Sequence, residues 1–151
     1  MDEGDSKPLK KADTKSVDLL IRVLEGRKNF GLNIDRVCVN KLGGLCIVEF
    51  QECDTVEPWE SSPKRYWDRA KRKFLRIGAI AHALNAKFYV VSWSADERWK
   101  DQFTVGRFRH INFNFCDIEE KKMNLDEFRE WFLGMNNNHP LPDDLDLFFV
   151  Y

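Results

Sequence analysis

Apolar residues along the chain follow two spacings, a helical one of three or four residues and a strand-like one of two. In chain order they predict a helix ending at Gly26, a hairpin over 34–51, a helix over 62–85, a strand over 86–93, a strand over 103–115, a helix over 125–133 and a last strand over 145–151. The strand over 86–93 directly follows the second helix, which favours a parallel crossover from the hairpin. Helices and strands in this order indicate an α/β fold.

Capping residues mark where the three predicted helices begin. Asp13 or Thr14 precedes the first helix, Ser62 with Pro63 the second, and Asn124 the third. The face that the first helix is expected to bury comprises Val17, Leu20, Ile21 and Leu24. The corresponding face of the second helix comprises Tyr66, Ala70, Phe74 (or Ile77), Ala81 and Leu84.

The predicted hairpin carries the most informative polar residues of the chain. Side chains alternate faces along a strand, so Glu49 and Gln51 project from one face together with Ile47. A turn over 41–44 places Asp35, near the open end of the first strand, opposite the end that carries Glu49. Two converging carboxylates are the hard oxygen ligands that Mg²⁺ requires. The hairpin therefore predicts a Mg²⁺ site formed by Asp35 and Glu49.

This pattern resembles the PD-(D/E)XK nuclease superfamily. Ile34-Asp35 stands in place of Pro-Asp, and Glu49-Phe50-Gln51 stands in place of Glu-x-Lys. The predicted order of helix, hairpin, helix and strand over residues 14–93 is similar to the superfamily's core. The resemblance implies a restriction endonuclease-like fold, with a central mixed sheet flanked by helices. It also implies hydrolysis of DNA phosphodiesters with Mg²⁺, or with Mn²⁺ in its place, and makes Asp35, Glu49 and Gln51 the catalytic residues.

Gln51 departs from the family pattern, in which a lysine positions the attacking water and stabilises charge. Some members of the family resemble this chain in carrying Gln or Glu there and remain active. An amide can orient a water molecule, but it supplies no full positive charge and no general base. Lys73 or Lys64, on the helix that follows, could therefore take the place of the missing lysine.

The resemblance also implies a further acid from the first helix, since nucleases of this superfamily often add one to the metal site. Asp18 and Glu25 lie on a common stripe beside the apolar face of that helix. Either could fill the role. The alternative is that both are ordinary surface acids near Arg22.

Arginines form one continuous stripe along the predicted second helix, called the basic stripe below. Its members are Arg65, Arg69, Arg72 and Arg76, at positions i, i+4, i+7 and i+11, with Lys64, Lys71 and Lys73 close by. Asp68 is the one acid of that segment, whereas a solvated helix face usually mixes charges of both signs. Arginine matches phosphate oxygens with paired N–H donors, so the stripe predicts a DNA backbone as its ligand. The alternatives are a solvated face balanced by acids elsewhere, and an acidic protein partner.

Polar and apolar residues alternate in the segment 103–115. Ile111, Phe113 and Phe115 fall on one side and His110, Asn112 and Asn114 on the other, with Arg107 and Arg109 at the start. Such a polar row could read base edges, and an exposed sheet face has the same pattern.

Composition restricts the class of protein. A chain of 151 residues with 43% hydrophobic and 13% aromatic residues suits one domain with a real core, which we place at 13–151 after a flexible arm over 1–12. A formal net charge of −1 does not by itself indicate a nucleic-acid partner. The four cysteines form no CxxC pair, which argues against a zinc site. No apolar run approaches a membrane span and no signal peptide is evident, so we expect a cytoplasmic or nuclear protein without a membrane partner.

Three functions remain for this sequence, which contains no Gly-rich phosphate loop, nucleophile elbow or HExxH. The first is a Mg²⁺-dependent DNA endonuclease of the homing, restriction or junction-resolving type, acting as a homo-oligomer because one small domain offers little recognition surface. The second is a nuclease-like module that binds nucleic acid or scaffolds a complex without cleaving. The third is a protein-interaction domain, favoured by the apolar C-terminus.

Overall fold

Three α-helices and five strands occur within residues 15–28 and 31–137, the part of the chain that the computed structural model describes. In chain order they are α1 (Lys15–Leu24), β1 (Arg36–Val39), β2 (Leu45–Glu52), α2 (Trp67–Ala83), β3 (Lys87–Trp93), β4 (Phe103–Ile111), β5 (Cys116–Met123) and α3 (Leu125–Met135). Short 3₁₀ turns span Pro58–Glu60 and Pro63–Tyr66. The predicted arm over 1–12, the caps Asp13 and Thr14 and the predicted strand over 145–151 lie outside the described residues.

The first helix belongs to a unit of its own, because the chain divides into the compact units Met1–Gly31 and Leu32–Tyr151. α1 ends as predicted: Glu25 and Gly26 both adopt positive φ, at 49° and 81°, which stops helical hydrogen bonding. No residue of α1 is buried in this unit. The single domain expected over 13–151 stays a prediction.

The described strands of the second unit form one mixed sheet in the order β1-β2-β3-β4-β5. β1 and β2 form the predicted antiparallel hairpin, and β2 pairs with β3 in parallel through the α2 crossover. β3, β4 and β5 form an antiparallel meander. The coarse prediction of an α/β fold is therefore confirmed.

Successive residues of a strand point to opposite faces of the sheet, and helices cover both faces. Ile47 and Val90 pack against Phe74, Ile77 and their neighbours on α2. The opposite face packs against α3 through a second core cluster. That cluster comprises Cys46, Val48, Tyr89, Val91, Val105, Met123 and Met135, with Phe103, Phe128 and Trp131 at its margin. Glu49 follows Ile47 on the α2 side of the sheet, and this places the predicted polar residues beneath α2.

Capping residues start the helices as the sequence predicts. The Ser62 side chain accepts a hydrogen bond from the backbone N–H of Lys64, although the chain then makes a 3₁₀ turn before α2 begins. Asn124 and Glu127 form a reciprocal capping box at α3. Leu84, expected in the buried face, lies beyond the end of α2 and is 48% exposed.

The C-terminal third of the sheet differs from the prediction. The strand expected over 103–115 ends at Ile111, and residues 112–115 form a turn. The Asn112 side chain makes this turn by accepting hydrogen bonds from the N–H groups of Asn114 and Phe115. The continuous polar row of His110, Asn112 and Asn114 therefore does not form. The strand β5 was not predicted, because only Ile118 and Met123 are buried in it.

None of the described helices combines the length and the apolar character needed to cross a bilayer.

Candidate functional site

The register of the β1–β2 hairpin brings Asp35 beside Glu49, as the sequence predicts. Arg36 is the partner of Val48, so the next pair toward the open end is Asp35 with Glu49. The Asp35 N–H donates to Glu49 Oε1 over 2.8 Å, and the Phe50 N–H donates to Asp35 Oδ2 over 2.8 Å. Glu49 thus accepts from the backbone of Asp35, and Asp35 accepts from the backbone of Phe50, the residue that follows Glu49. This reciprocal bonding fixes the two acids relative to each other.

Lys73 of α2 completes the environment of Glu49. Its Nζ lies 2.8 Å from Glu49 Oε2. The Glu49 side chain is only 4% exposed, whereas that of Lys73 is 45% exposed. A buried carboxylate needs a charged or hydrogen-bonding partner, and Lys73 together with the Asp35 N–H meets this need. Of the two lysines that periodicity does not distinguish, Lys73 and Lys64, it is Lys73 that contacts Glu49.

Gln51 lies two residues beyond Glu49 on the same face of β2, close to the end of the parallel strand pair. Its side-chain Oε1 is buried and accepts no hydrogen bond from any described residue. Its partner in the β2–β3 register is Ser92, whose Oγ is also buried and unbonded within the described chain. A buried acceptor of this kind is unfavourable unless water or an ion reaches it. The two residues therefore place two buried, unbonded polar atoms in neighbouring strands, on the face of β2 that also carries Glu49.

Ser92 was not a candidate at the sequence level. It is the one residue with an aliphatic hydroxyl in β3, where a buried strand would be expected to carry an apolar side chain. A serine within an apolar strand is the feature of the sequence that points to this position.

The candidate ligands of this cluster are all oxygen atoms. Among the described contacts, neither Asp35 Oδ1 nor Gln51 Oε1 accepts a hydrogen bond, so both are available as ligands. Mg²⁺ is commonly held by one or two carboxylates and otherwise by water and substrate phosphate. In the described chain no group of three or more His, Cys, Asp or Glu is arranged to hold a metal ion.

The cations of the basic stripe lie where the sequence places them, along α2 and the 3₁₀ turn before it. Their exposed members are Lys64, Arg65, Arg69, Arg72, Lys73 and Arg76. Arg69, Arg72 and Arg76 form no ion pair with any described residue. Lys73, which is partly exposed, is turned toward Glu49. The stripe thus retains unneutralised charge on the helix that also supplies the cation of the site.

Three other predicted candidates lie outside β2 and α2. Arg109 pairs with Asp117 over 3.2 Å and with Glu119 over 3.6 Å, so it joins β4 to β5 and is not free to read bases. Asp18 and Glu25 belong to the separate α1 unit, where Glu25 lies 3.8 Å from Arg27. A contribution of either first-helix acid to the site stays a prediction.

Comparison of the chain with protein-family models, with curated proteins and with solved structures finds no match.

Proposed function

We propose that the chain is a Mg²⁺-dependent DNA endonuclease of the PD-(D/E)XK type, a homing, restriction or junction-resolving enzyme that hydrolyses phosphodiester bonds. One observation carries this proposal: the hairpin and α2 bring Asp35, Glu49, Gln51 and Lys73 to one place. Two acids and a lysine are the groups that this chemistry uses, and the amide of Gln51 can orient a water molecule. The resemblance in the sequence and the element order supports the same reaction.

Each side chain has a distinct role in the proposed reaction. Mg²⁺, when bound, lowers the pKa of a coordinated water molecule and stabilises negative charge on the phosphate. Asp35 and Glu49 hold the ion, since they supply the two carboxylates. Gln51 orients the attacking water through its amide, because it can donate and accept hydrogen bonds but cannot remove a proton at neutral pH.

Lys73 supplies the positive charge that Gln51 lacks. Its ammonium group is already 2.8 Å from Glu49, and its half-exposed side chain can also meet a phosphate oxygen that enters from solvent. A fixed cation at the reacting phosphate stabilises the charge that builds up in the transition state. Lys64 is unsuited to this role, because it lies in the 3₁₀ turn whose cap, Ser62, donates a hydrogen bond to Glu120 of β5.

The basic stripe holds the DNA backbone on either side of the reacting phosphate. Arg69, Arg72 and Arg76 are exposed and lie on the same helix as Lys73. Binding of phosphates by such arginines releases counterions, so affinity should fall steeply with salt. We expect a dimer or tetramer to provide the rest of the recognition surface.

Cleavage of supercoiled plasmid and branched DNA with Mg²⁺ tests the proposal. The variants are Glu49→Gln and Lys73→Met, with Glu52→Gln as the matched control, since Glu52 is an exposed carboxylate on the same strand. We expect each site variant to cleave at least about a hundredfold more slowly, the effect typical of losing a transition-state contact, and the control to match the native chain. Equal cleavage by native and Glu49→Gln protein would refute the assignment. So would the absence of cleavage with Mg²⁺ and Mn²⁺ on every substrate.

One observation favours a second function, binding of nucleic acid without cleavage. Both oxygens of Glu49 already have protein partners, the Asp35 N–H and Lys73, and Gln51 replaces the usual lysine. With both oxygens paired, Glu49 and Lys73 could form a structural ion pair beneath a DNA-binding helix. Salt-sensitive retention of DNA by native protein that cleaves nothing would identify this function.

A further inference from the structure

The turn between β4 and β5 presents two phenylalanines to solvent. Phe113 is 58% exposed and Phe115 is 52% exposed. The turn itself is well hydrogen-bonded: Asn112 Oδ1 accepts from the N–H of Asn114 over 2.8 Å and from that of Phe115 over 3.0 Å, and the Asn112 N–H donates to the Phe115 carbonyl. The rings are therefore held out by an ordered turn and are not covered by the described core.

Positive charge and a second flat ring surround these phenylalanines. Lys71 Nζ of α2 lies 4.2 Å from the centre of the Phe113 ring, a cation–π contact. The imidazole of His110 lies 5.4 Å from the Phe115 ring. We call Lys71, His110, Phe113 and Phe115 the aromatic patch.

Charge and shape together indicate what this patch can bind. Exposed aromatic rings next to cations stack unpaired nucleobases, while the cations meet the attached phosphates. Bases inside a duplex are already stacked and do not reach such rings, whereas bases of a flap, tail or branch do. The patch adjoins α2 through Lys71, and α2 also carries the basic stripe.

We propose that the aromatic patch binds unpaired bases, so that the preferred DNA of this chain carries a single-stranded or branched segment next to a duplex. This inference rests on the DNA-binding part of the proposed function and adds the substrate class to it. Three acids also lie on the elements that carry the patch: Asp117 and Glu119 share the single cation of Arg109, and Asp68 lies one turn before Lys71 on α2.

Fluorescence anisotropy in EDTA tests this inference without cleavage. The probes are a blunt duplex and a duplex with a single-stranded tail, matched in their number of phosphates. The variants are Phe113→Ala, Phe115→Ala, the double change, and the same positions changed to Trp. Leu133→Ala is the matched control, since Leu133 is a 60% exposed apolar residue on α3, which packs on the other face of the sheet.

We expect each alanine change to weaken binding of the tailed duplex about tenfold and the double change about a hundredfold, as loss of base stacking does. Binding of the blunt duplex and its salt dependence should stay within about twofold of native, because the phosphate contacts remain. The tryptophan variants should retain the native preference, and Leu133→Ala should have no effect.

Three results would overturn the inference. The first is equal affinity of native protein for the two probes, including no binding of either. The second is an unchanged preference in the double variant. The third is loss of self-association in the double variant, measured by sedimentation, with DNA affinity unchanged, which would make the patch a protein interface. Catalysis is scored separately: a native preference for tailed DNA in protein that never cleaves supports the patch and refutes the nuclease.

Discussion

Lys73→Met is the most direct test of the geometry of the candidate site. The change removes the ammonium group 2.8 Å from Glu49 Oε2 and keeps most of the side chain's apolar length. It leaves a 4% exposed carboxylate with the Asp35 N–H as its remaining described partner. We therefore expect the variant to be less stable than the native chain.

The burial of the two partners sets the size of this loss. Removing one member of a fully buried ion pair costs about 3–5 kcal/mol, and an exposed pair contributes about 0–1 kcal/mol. Because Glu49 is buried while Lys73 is 45% exposed, the pair lies between these limits, and we expect a loss of about 2 kcal/mol. For a chain of this size that corresponds to a fall in Tm of roughly 4–8 °C.

A double-mutant cycle with Glu49→Gln separates this pair from other effects. Glutamine still accepts from the Asp35 N–H, and Lys73 is then free to point to water, so Glu49→Gln alone should cost less than Lys73→Met. In the Glu49→Gln background, Lys73→Met should cost less than about 0.5 kcal/mol, giving a coupling energy above about 1 kcal/mol.

Urea denaturation followed by tryptophan fluorescence measures each corner of the cycle, since the chain contains five tryptophans. Equal costs of Lys73→Met in the two backgrounds would show that the pair does not form in solution, and the proposed role of Lys73 would fail with it.

Three further predictions follow from other contacts. Arg72→Gln should weaken DNA binding equally for all sequences and reduce the slope of log affinity against log salt by about one, as measured by anisotropy over a salt series. Asn124→Ala removes the cap and capping box of α3 and should lower the free energy of unfolding by about 1 kcal/mol, as measured by urea denaturation. Hydrogen bonds from Arg98 lower the pKa of Asp96 to about 2. Ionised Asp96 therefore stabilises the folded state above the ordinary carboxyl pKa, and this contribution is lost as the pH falls through about 2. A carboxyl NMR titration should show this midpoint, and Arg98→Met should return the pKa toward 3.8.

The sequence predicted the acidic half of the candidate site because strand geometry leaves little freedom. Alternation along β2 places Glu49 and Gln51 on one face, and a hairpin register then brings Asp35 to the open end. The cation was harder to choose. Lys64 lies in a 3₁₀ turn, so the angle between it and Lys73 does not follow α-helical periodicity.

The C-terminal meander shows where sequence patterns mislead. The run Phe113-Asn114-Phe115 continues the two-residue period of β4, yet the Asn112 side chain satisfies the backbone N–H groups and turns the chain. β5 carries four consecutive exposed charged residues and is held mainly by backbone pairing with β4, so hydrophobic spacing does not detect it. Ser92 is recognised as part of the site only once its neighbour Gln51 is known.

The parallel pairing of β2 with β3 has a consequence for the order in which the protein folds. The β1–β2 hairpin and the β3–β4–β5 meander are built from short-range contacts, whereas residues paired between β2 and β3 lie roughly forty positions apart. Closing the long loop between β2 and β3 is entropically costly, so we expect the β1–β2 hairpin and the β3–β4–β5 meander to form before they join. Lys73 lies on α2, within the connection between β2 and β3, so we expect its contact with Glu49 to form when that connection closes and to act mainly by slowing unfolding.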